Sequence, residues 1–138
     1  EVGSKGGSNG DLYLFISIDN HEIFKRSEEN LYYELPISFT DAALGTSVEV
    51  PSIDGGKSKI KIPAGTQHGK QFRLKGKGMP ILRRNLFGDL YIRINTQVPN
   101  SLSKRQREIL EEFGEIEKNK PDPIIKNFFE KAKKFWKS

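Results

Sequence analysis

The chain has 138 residues, with 23 lysines and arginines against 18 acids, a net charge of +5 and a pI near 9.4. With no cysteine it holds neither disulfides nor thiolate metal sites, and no apolar run approaches the roughly 20 residues that span a bilayer. A hydrophobic content of 35% beside 30% charged residues fits one domain, or two small ones, with modest cores.

Residues 1–9 are rich in glycine and serine and read as a loop. Gly10-Asp11-Leu12-Tyr13 follows and returns as Gly88-Asp89-Leu90-Tyr91, each copy opening a run of strand character. Two copies of one β unit are implied. A full set of strands and turns precedes the second copy but only a short loop precedes the first. The first unit is therefore expected to be the end of something longer.

Residues 12–18 alternate, with Leu12, Leu14, Ile16 and Ile18 on one face and Tyr13, Phe15 and Ser17 on the other, the period of a strand. Residues 20–30 are polar and turn-like around His21, Phe24 and Arg26. Residues 31–37 form a second strand, in which Pro36 points to an edge or a bulge. Residues 38–44 allow one short helical turn closed by Gly45. A strand at 46–50 ends at Pro51, Asp54-Gly55-Gly56 signals a hairpin, and 57–62 return. Residues 71–75 make a short strand with Phe72 and Leu74 inward. Gly76, Gly78 and Pro80 break the chain before a loop carrying Arg83 and Arg84, and 90–98 close the β portion. Short strands separated by glycine and proline predict a small antiparallel sandwich or barrel-like unit.

The period then changes. Ser103 and Gln106 have capping-box spacing; Ile109, Leu110 and Phe113 share a helical face, and Gly114 is expected to end that helix before a linker at 115–120. Asp122 as N-cap with Pro123 at the first helical position starts a second helix. Its apolar set is Ile124, Ile125, Phe128, Phe129, Ala132, Phe135 and Trp136, and the chain's basic surplus gathers on its other face. Such a face must dock on its own β domain, on a second copy of the chain, or on a membrane surface.

Catalytic chemistry is hard to find. His21 and His68 fall in separate loops without a triad or metal-ligand neighbour, and no enzyme is expected. Asp11 and Asp89 recur at matched strand entries, where a turn or a charge-assisted contact to a basic neighbour suits them better than acid–base work. Gly76-Lys77-Gly78 lacks the remainder of a phosphate loop and reads as a turn.

The run Gly10-Asp11-Leu12-Tyr13 through Ile16, Ile18, His21, Phe24 and Arg26 resembles the end of the first C-terminal β-domain of DnaJ-type (J-domain) co-chaperones. Residues 31–37, Ala42-Ala43-Leu44-Gly45, Val48-Glu49-Val50-Pro51, Asp54-Gly55, Ile62-Pro63-Ala64-Gly65-Thr66-Gln67, Gly76-Lys77-Gly78-Met79-Pro80 and Gly88-Asp89-Leu90-Tyr91 look like the second. Leu102-Ser103 with Gln106 and Leu110, and the aromatic-rich last residues, resemble the segment that follows in bacterial members.

The resemblance implies a mainly β fold, an antiparallel β-sandwich domain of the DnaJ C-terminal type followed by C-terminal α-helices. It implies three parts: 1–26, the last strand of a truncated first β-domain; 27–100, the second β-sandwich; and 101–138, a helical dimerisation segment. It further implies a cytoplasmic, stress-related homodimer that binds unfolded client proteins in shallow apolar grooves and supports their delivery to a DnaK-type ATPase chaperone through a J-domain absent here. Leu14 matches a pocket-lining position of the family; Leu12 and Ile16 share its face, and Ile92 is the counterpart of Leu14 in the repeat. A plain core role is the alternative for all four. Dimerisation is expected from Leu102, Ile109, Leu110 and Phe113, reinforced by Phe128, Phe129, Phe135 and Trp136. No cofactor is expected, since the zinc-binding cysteine repeats of the family are absent from this sequence, and neither nucleic acid nor membrane is expected as a partner. The alternatives are a basic nucleic-acid-binding β protein and a membrane-associated scaffold.

Overall fold

The computed structural model describes residues 22–82 and 84–137. The strand expected at 12–18, with Leu12, Leu14 and Ile16, and His21 lie outside them. The chain forms two compact units, Glu1–Val98 and Pro99–Ser138.

The first unit contains β1 (Lys25–Ser27), β2 (Asn30–Ser38), the short helix α1 (Phe39–Leu44), β3 (Thr46–Pro51), β4 (Lys57–Ile62), β5 (Gln71–Leu74), β6 (Pro80–Ile81), β7 (Leu86–Phe87) and β8 (Leu90–Gln97). Four strands make one sheet in the order β1-β2-β8-β5, while β3–β4 and β6–β7 are two-stranded ribbons. Among the described residues every pairing is antiparallel except the central one. There β2 and β8 run parallel, from Leu31 opposite Leu90 to Ser38 opposite Gln97. The antiparallel β architecture expected from the strand spacing holds in the other pairs, and β8 runs parallel to β2 because it arrives after a long excursion rather than a hairpin.

Alternation decides which face is the core. Leu31, Tyr33 and Ile37 of β2 and Leu90, Ile92 and Ile94 of β8 point inward, where Val50, Ile60 and Ile62 of the β3–β4 ribbon join them with Ala42, Met79 and Phe24. Burying each large side chain contributes about 1.5–3 kcal/mol. Phe24 meets Tyr33 edge to face at 5.2 Å, so the unit already includes residues that read as a polar turn in the sequence. Beyond residue 32, the last to pair with β1, β2 is flanked by β8 alone among the described strands. Pro36 stands in that half, as its missing donor requires.

Local signals fix the connections. Ser38 caps α1 by accepting from the Asp41 N–H at 3.1 Å, and Gly45 ends it with φ 86°. A side chain at Gly45 would meet the Ala64 nitrogen at 2.9 Å, so glycine is required twice over, by the left-handed backbone and by the close approach. The loop around Arg84 is shaped by β6 and β7, a small hairpin too short to register as alternation.

The second unit has two helices, α2 (Lys104–Asn119) and α3 (Pro123–Lys137). Ser103 and Gln106 form the expected capping box, the Gln106 N–H reaching Ser103 Oγ at 3.1 Å and the Ser103 N–H reaching Gln106 Oε1 at 2.8 Å. Helix α2 does not stop at Gly114; it continues for another turn and absorbs the expected linker. Glycine inside a helix costs only about 1 kcal/mol relative to alanine. Asp122 caps α3, its Oδ1 accepting the Ile124 N–H at 2.8 Å. Neither helix buries a residue.

Candidate functional site

The outward face of the four-stranded sheet carries the side chains that alternate with the core. Register places Lys25, Tyr32, Tyr91 and Arg73 in one row across β1, β2, β8 and β5, with Glu34, Arg93 and Gln71 in the next. Tyr32 and Tyr91 stack with ring centroids 5.1 Å apart and planes 14° from parallel. Arg93 donates to Glu34 at 2.9 Å, and Asn95 Nδ2 adds a bond to the same carboxylate at 3.3 Å. Lys25, Tyr32, Glu34, Gln71, Tyr91 and Arg93 line, with Ile23, an open depression of about 740 Å³. It offers aromatic and charged contacts but no acid–base pair.

The second Gly-Asp-Leu-Tyr copy anchors this face. Asp89 Oδ2 accepts the Arg73 guanidinium at 2.6 Å, and Oδ1 accepts the Gly76 N–H at 3.0 Å. On the backbone side, the Asp89 N–H donates to Asn30 Oδ1 at 2.8 Å, and the Leu31 N–H donates to the Asp89 carbonyl at 2.9 Å. One residue thus ties β5, the turn after it and the start of β2 to the start of β8. The Gly76 N–H and then the Arg73 guanidinium hold the Asp89 carboxyl below the usual carboxylate range, against an opposing push from its partial burial. The charge-assisted contact expected from the sequence is therefore present at Asp89.

Other titratable groups serve the fold. The Tyr33 hydroxyl donates to the Pro51 carbonyl at 3.3 Å, and burial pushes the phenol up to about 12. His68 Nδ1 accepts the Thr96 N–H at 3.1 Å. Among the described residues no three histidines, aspartates or glutamates gather where a metal ion would sit.

The proposed client contact Ile92 is a correction. It is 0% exposed, opposite Tyr33 on β2 and Phe72 on β5 on the inner face, so it is core. Leu12, Leu14 and Ile16 lie outside the described residues. Among the described residues of the first unit the large exposed apolar side chains are elsewhere: Leu82, Leu86 and Phe87 on the β6–β7 hairpin, with Ile23, Leu44 and Val98.

The dimerisation candidates fall on both helices. On α2, Ile109 and Phe113 are exposed and Leu110 is half-buried; Ile116, two residues beyond the expected stop at Gly114, extends the row. Leu102 is half-buried just before the helix. Gln106, Ile109, Phe113 and Ile116 repeat at three- and four-residue steps, the narrow seam of paired helices. On α3, Phe128, Phe129, Phe135 and Trp136 are exposed, and Phe128 meets Phe129 edge to face at 5.1 Å. Sequence reasoning passes over Ile116 because Gly114 was read as a stop. It also passes over the Tyr32–Tyr91 pair, since the repeat marks Tyr91 but nothing local says that Tyr32 is its neighbour.

Two family models match this chain. The one described as DnaJ C terminal domain covers residues 1–99, and the one described as Chaperone protein DnaJ C-terminal region covers residues 105–138. The Chaperone protein DnaJ of Pelagibacter ubique (strain HTCC1062) is 64% identical over 138 residues, 100% of this chain and 37% of that protein. Those of Brucella anthropi and Brucella suis are each 52% identical over 136 residues, 99% of this chain and 36% of each of those proteins. The chain thus spans little more than a third of the length of these curated relatives.

Proposed function

The chain belongs to the DnaJ C-terminal domain family, and on that premise we propose that it is the client-holding and dimerising part of a co-chaperone that works with a DnaK-type ATPase. The observation that carries the dimerising half is the row Ile109, Phe113 and Ile116, large apolar side chains exposed along a firmly capped helix. Side chains of this kind left in water at a coiled-coil spacing call for a second helix. In this reading the row meets its counterpart on a second copy, with Leu102 and Leu110 at the margin.

On the alternation in the sequence, client binding is assigned to Leu12, Leu14 and Ile16, apolar side chains of the kind that make shallow contacts with unfolded polypeptides. No bond-making step is assigned. Delivery of the client to the ATPase belongs to parts of the longer protein. The two halves are separable by experiment. Light scattering on the intact chain should give twice the monomer mass, and a single-copy mass at micromolar concentration would remove the dimer. Suppression of aggregation of an unfolded client should be lost in Leu14→Ser, and an unchanged Leu14→Ser would remove the client face.

A further inference from the structure

Helix α3 differs from α2 in the width of its apolar face. At about 100° per residue, Ile124, Ile125, Phe128, Phe129, Ala132, Phe135 and Trp136 fall within roughly 140° of arc, uninterrupted by any polar residue. The complementary arc holds Lys126, Lys131, Lys133, Lys134 and Lys137 with one acid, Glu130. Lys131 and Lys133 stand at its two borders, one on each side of the apolar face. In α2, by contrast, Ile109, Phe113 and Ile116 fall within roughly 60° of arc, and Gln106 and Glu117 stand between that row and Leu110. The α2 row suits the seam of another helix; the α3 face is too wide for a seam and stays turned to solvent, with Phe128 63% and Trp136 72% exposed.

We propose that α3 lies flat on an anionic phospholipid surface, its aromatic face sunk into the headgroup boundary and its lysines paired with lipid phosphates. The sequence reading groups α3 with α2 in one dimer contact; the two geometries separate them. A helix with a segregated aromatic face and a lysine-rich polar face is the form that binds in the interfacial plane. Lysines at the borders extend their stems along the apolar face and leave their ammonium groups at headgroup level. Charge selects the occupant. Five lysines against one acid would repel the same helix in a second copy, whereas an anionic leaflet attracts each of them. No described helix is long and apolar enough to cross a membrane, so α3 lies on the surface and does not span it. This inference goes beyond the co-chaperone reading and stands independently of it.

Trp136 is the only tryptophan of the chain, so its emission reports the face without a label. The test uses the full chain with vesicles of phosphatidylcholine containing phosphatidylglycerol, and with phosphatidylcholine alone. The expected result is flotation and a blue shift of Trp136 emission with the anionic vesicles only, weakened by salt. Phe128→Asp should lower vesicle affinity about tenfold or more while leaving the mass in solution unchanged. Absence of flotation overturns the proposal. So does a blue shift that grows with protein concentration without lipid, or a loss of mass in Phe128→Asp, either of which assigns the face to a second copy. Replacing Lys131 and Lys133 by glutamine should weaken anionic-vesicle binding without altering the mass, and unaltered binding would remove the electrostatic half of the argument.

Discussion

Asp89 holds Arg73 at 2.6 Å across neighbouring strands while the turn after β5 donates the Gly76 N–H to its other oxygen. These contacts favour the ionised carboxylate, so its folded-state pKa lies below the ordinary 3.8. A carboxyl depressed in this way contributes stability above its unfolded pKa and loses it as pH falls through the folded value. Asp89→Asn should therefore lower the melting temperature at neutral pH, and the gap to the parent chain should close as pH drops below about 4. A gap that stays constant from pH 7 to pH 3 would show that the charge is idle.

The neighbouring glycine is fixed by space. A Cβ on Gly88 would run into the Glu29 carbonyl oxygen, a backbone atom whose position is set by its bond from the Met79 N–H at 2.8 Å. Gly88→Ala should cost about 1–3 kcal/mol, the range for forcing an extra carbon into packed structure, read as a reduced urea midpoint with an unchanged slope. A neutral result would mean that the turn before β8 shifts freely.

Ile92 provides a direct contrast between core and contact surface. With its side chain fully buried, Ile92→Ala should cost about 2–5 kcal/mol and lower the melting temperature of the β unit. Were Ile92 a client contact on the surface, the same substitution would leave the melting temperature alone and reduce client binding.

On helix α2, Ile109→Asp places a carboxylate in the apolar row. Burying an unpaired charge in a helix seam is costly, so the dimer should weaken about a hundredfold or more, ~3 kcal/mol. Helicity should be retained, because the substitution leaves the capping box of Ser103 and Gln106 intact. Sedimentation across a concentration series is the measurement; an unchanged association constant would move the dimer contact off this row.

What the sequence makes legible here is what a few neighbouring residues decide together. The turn at Asp54-Gly55-Gly56, the caps at Ser103 and Asp122, and the inward Phe72 and Leu74 all follow from short-range chemistry. The parallel pairing of β2 with β8 does not, because it joins residues far apart in the chain and the alternation of each strand is compatible with either direction. Gly114 misleads because a helix tolerates one glycine when its capping and apolar row continue past it, as Ile116 and the Lys118–Glu115 pair at 3.1 Å do here. Ile92 misleads differently. The repeat marks it as equivalent to Leu14, but a repeat relates positions along two strands and says nothing about which face of each is covered. The Asp89 contact was legible because an acid opening a strand, next to a glycine turn and basic strands, has few other uses.

The parallel pairing of β2 and β8 has a consequence for how this chain is made. The central partner of the first long strand is the last strand of the unit, so synthesis must reach Gln97 before the middle of the sheet exists. Until then β2 is an apolar strand with its interior edge open, while the β3–β4 ribbon between them is local enough to form at once. A pairing between strands this far apart in the chain slows closure and leaves apolar surface exposed in the meantime. A protein whose relatives are chaperones thus passes through a stage in which it has the properties of a client.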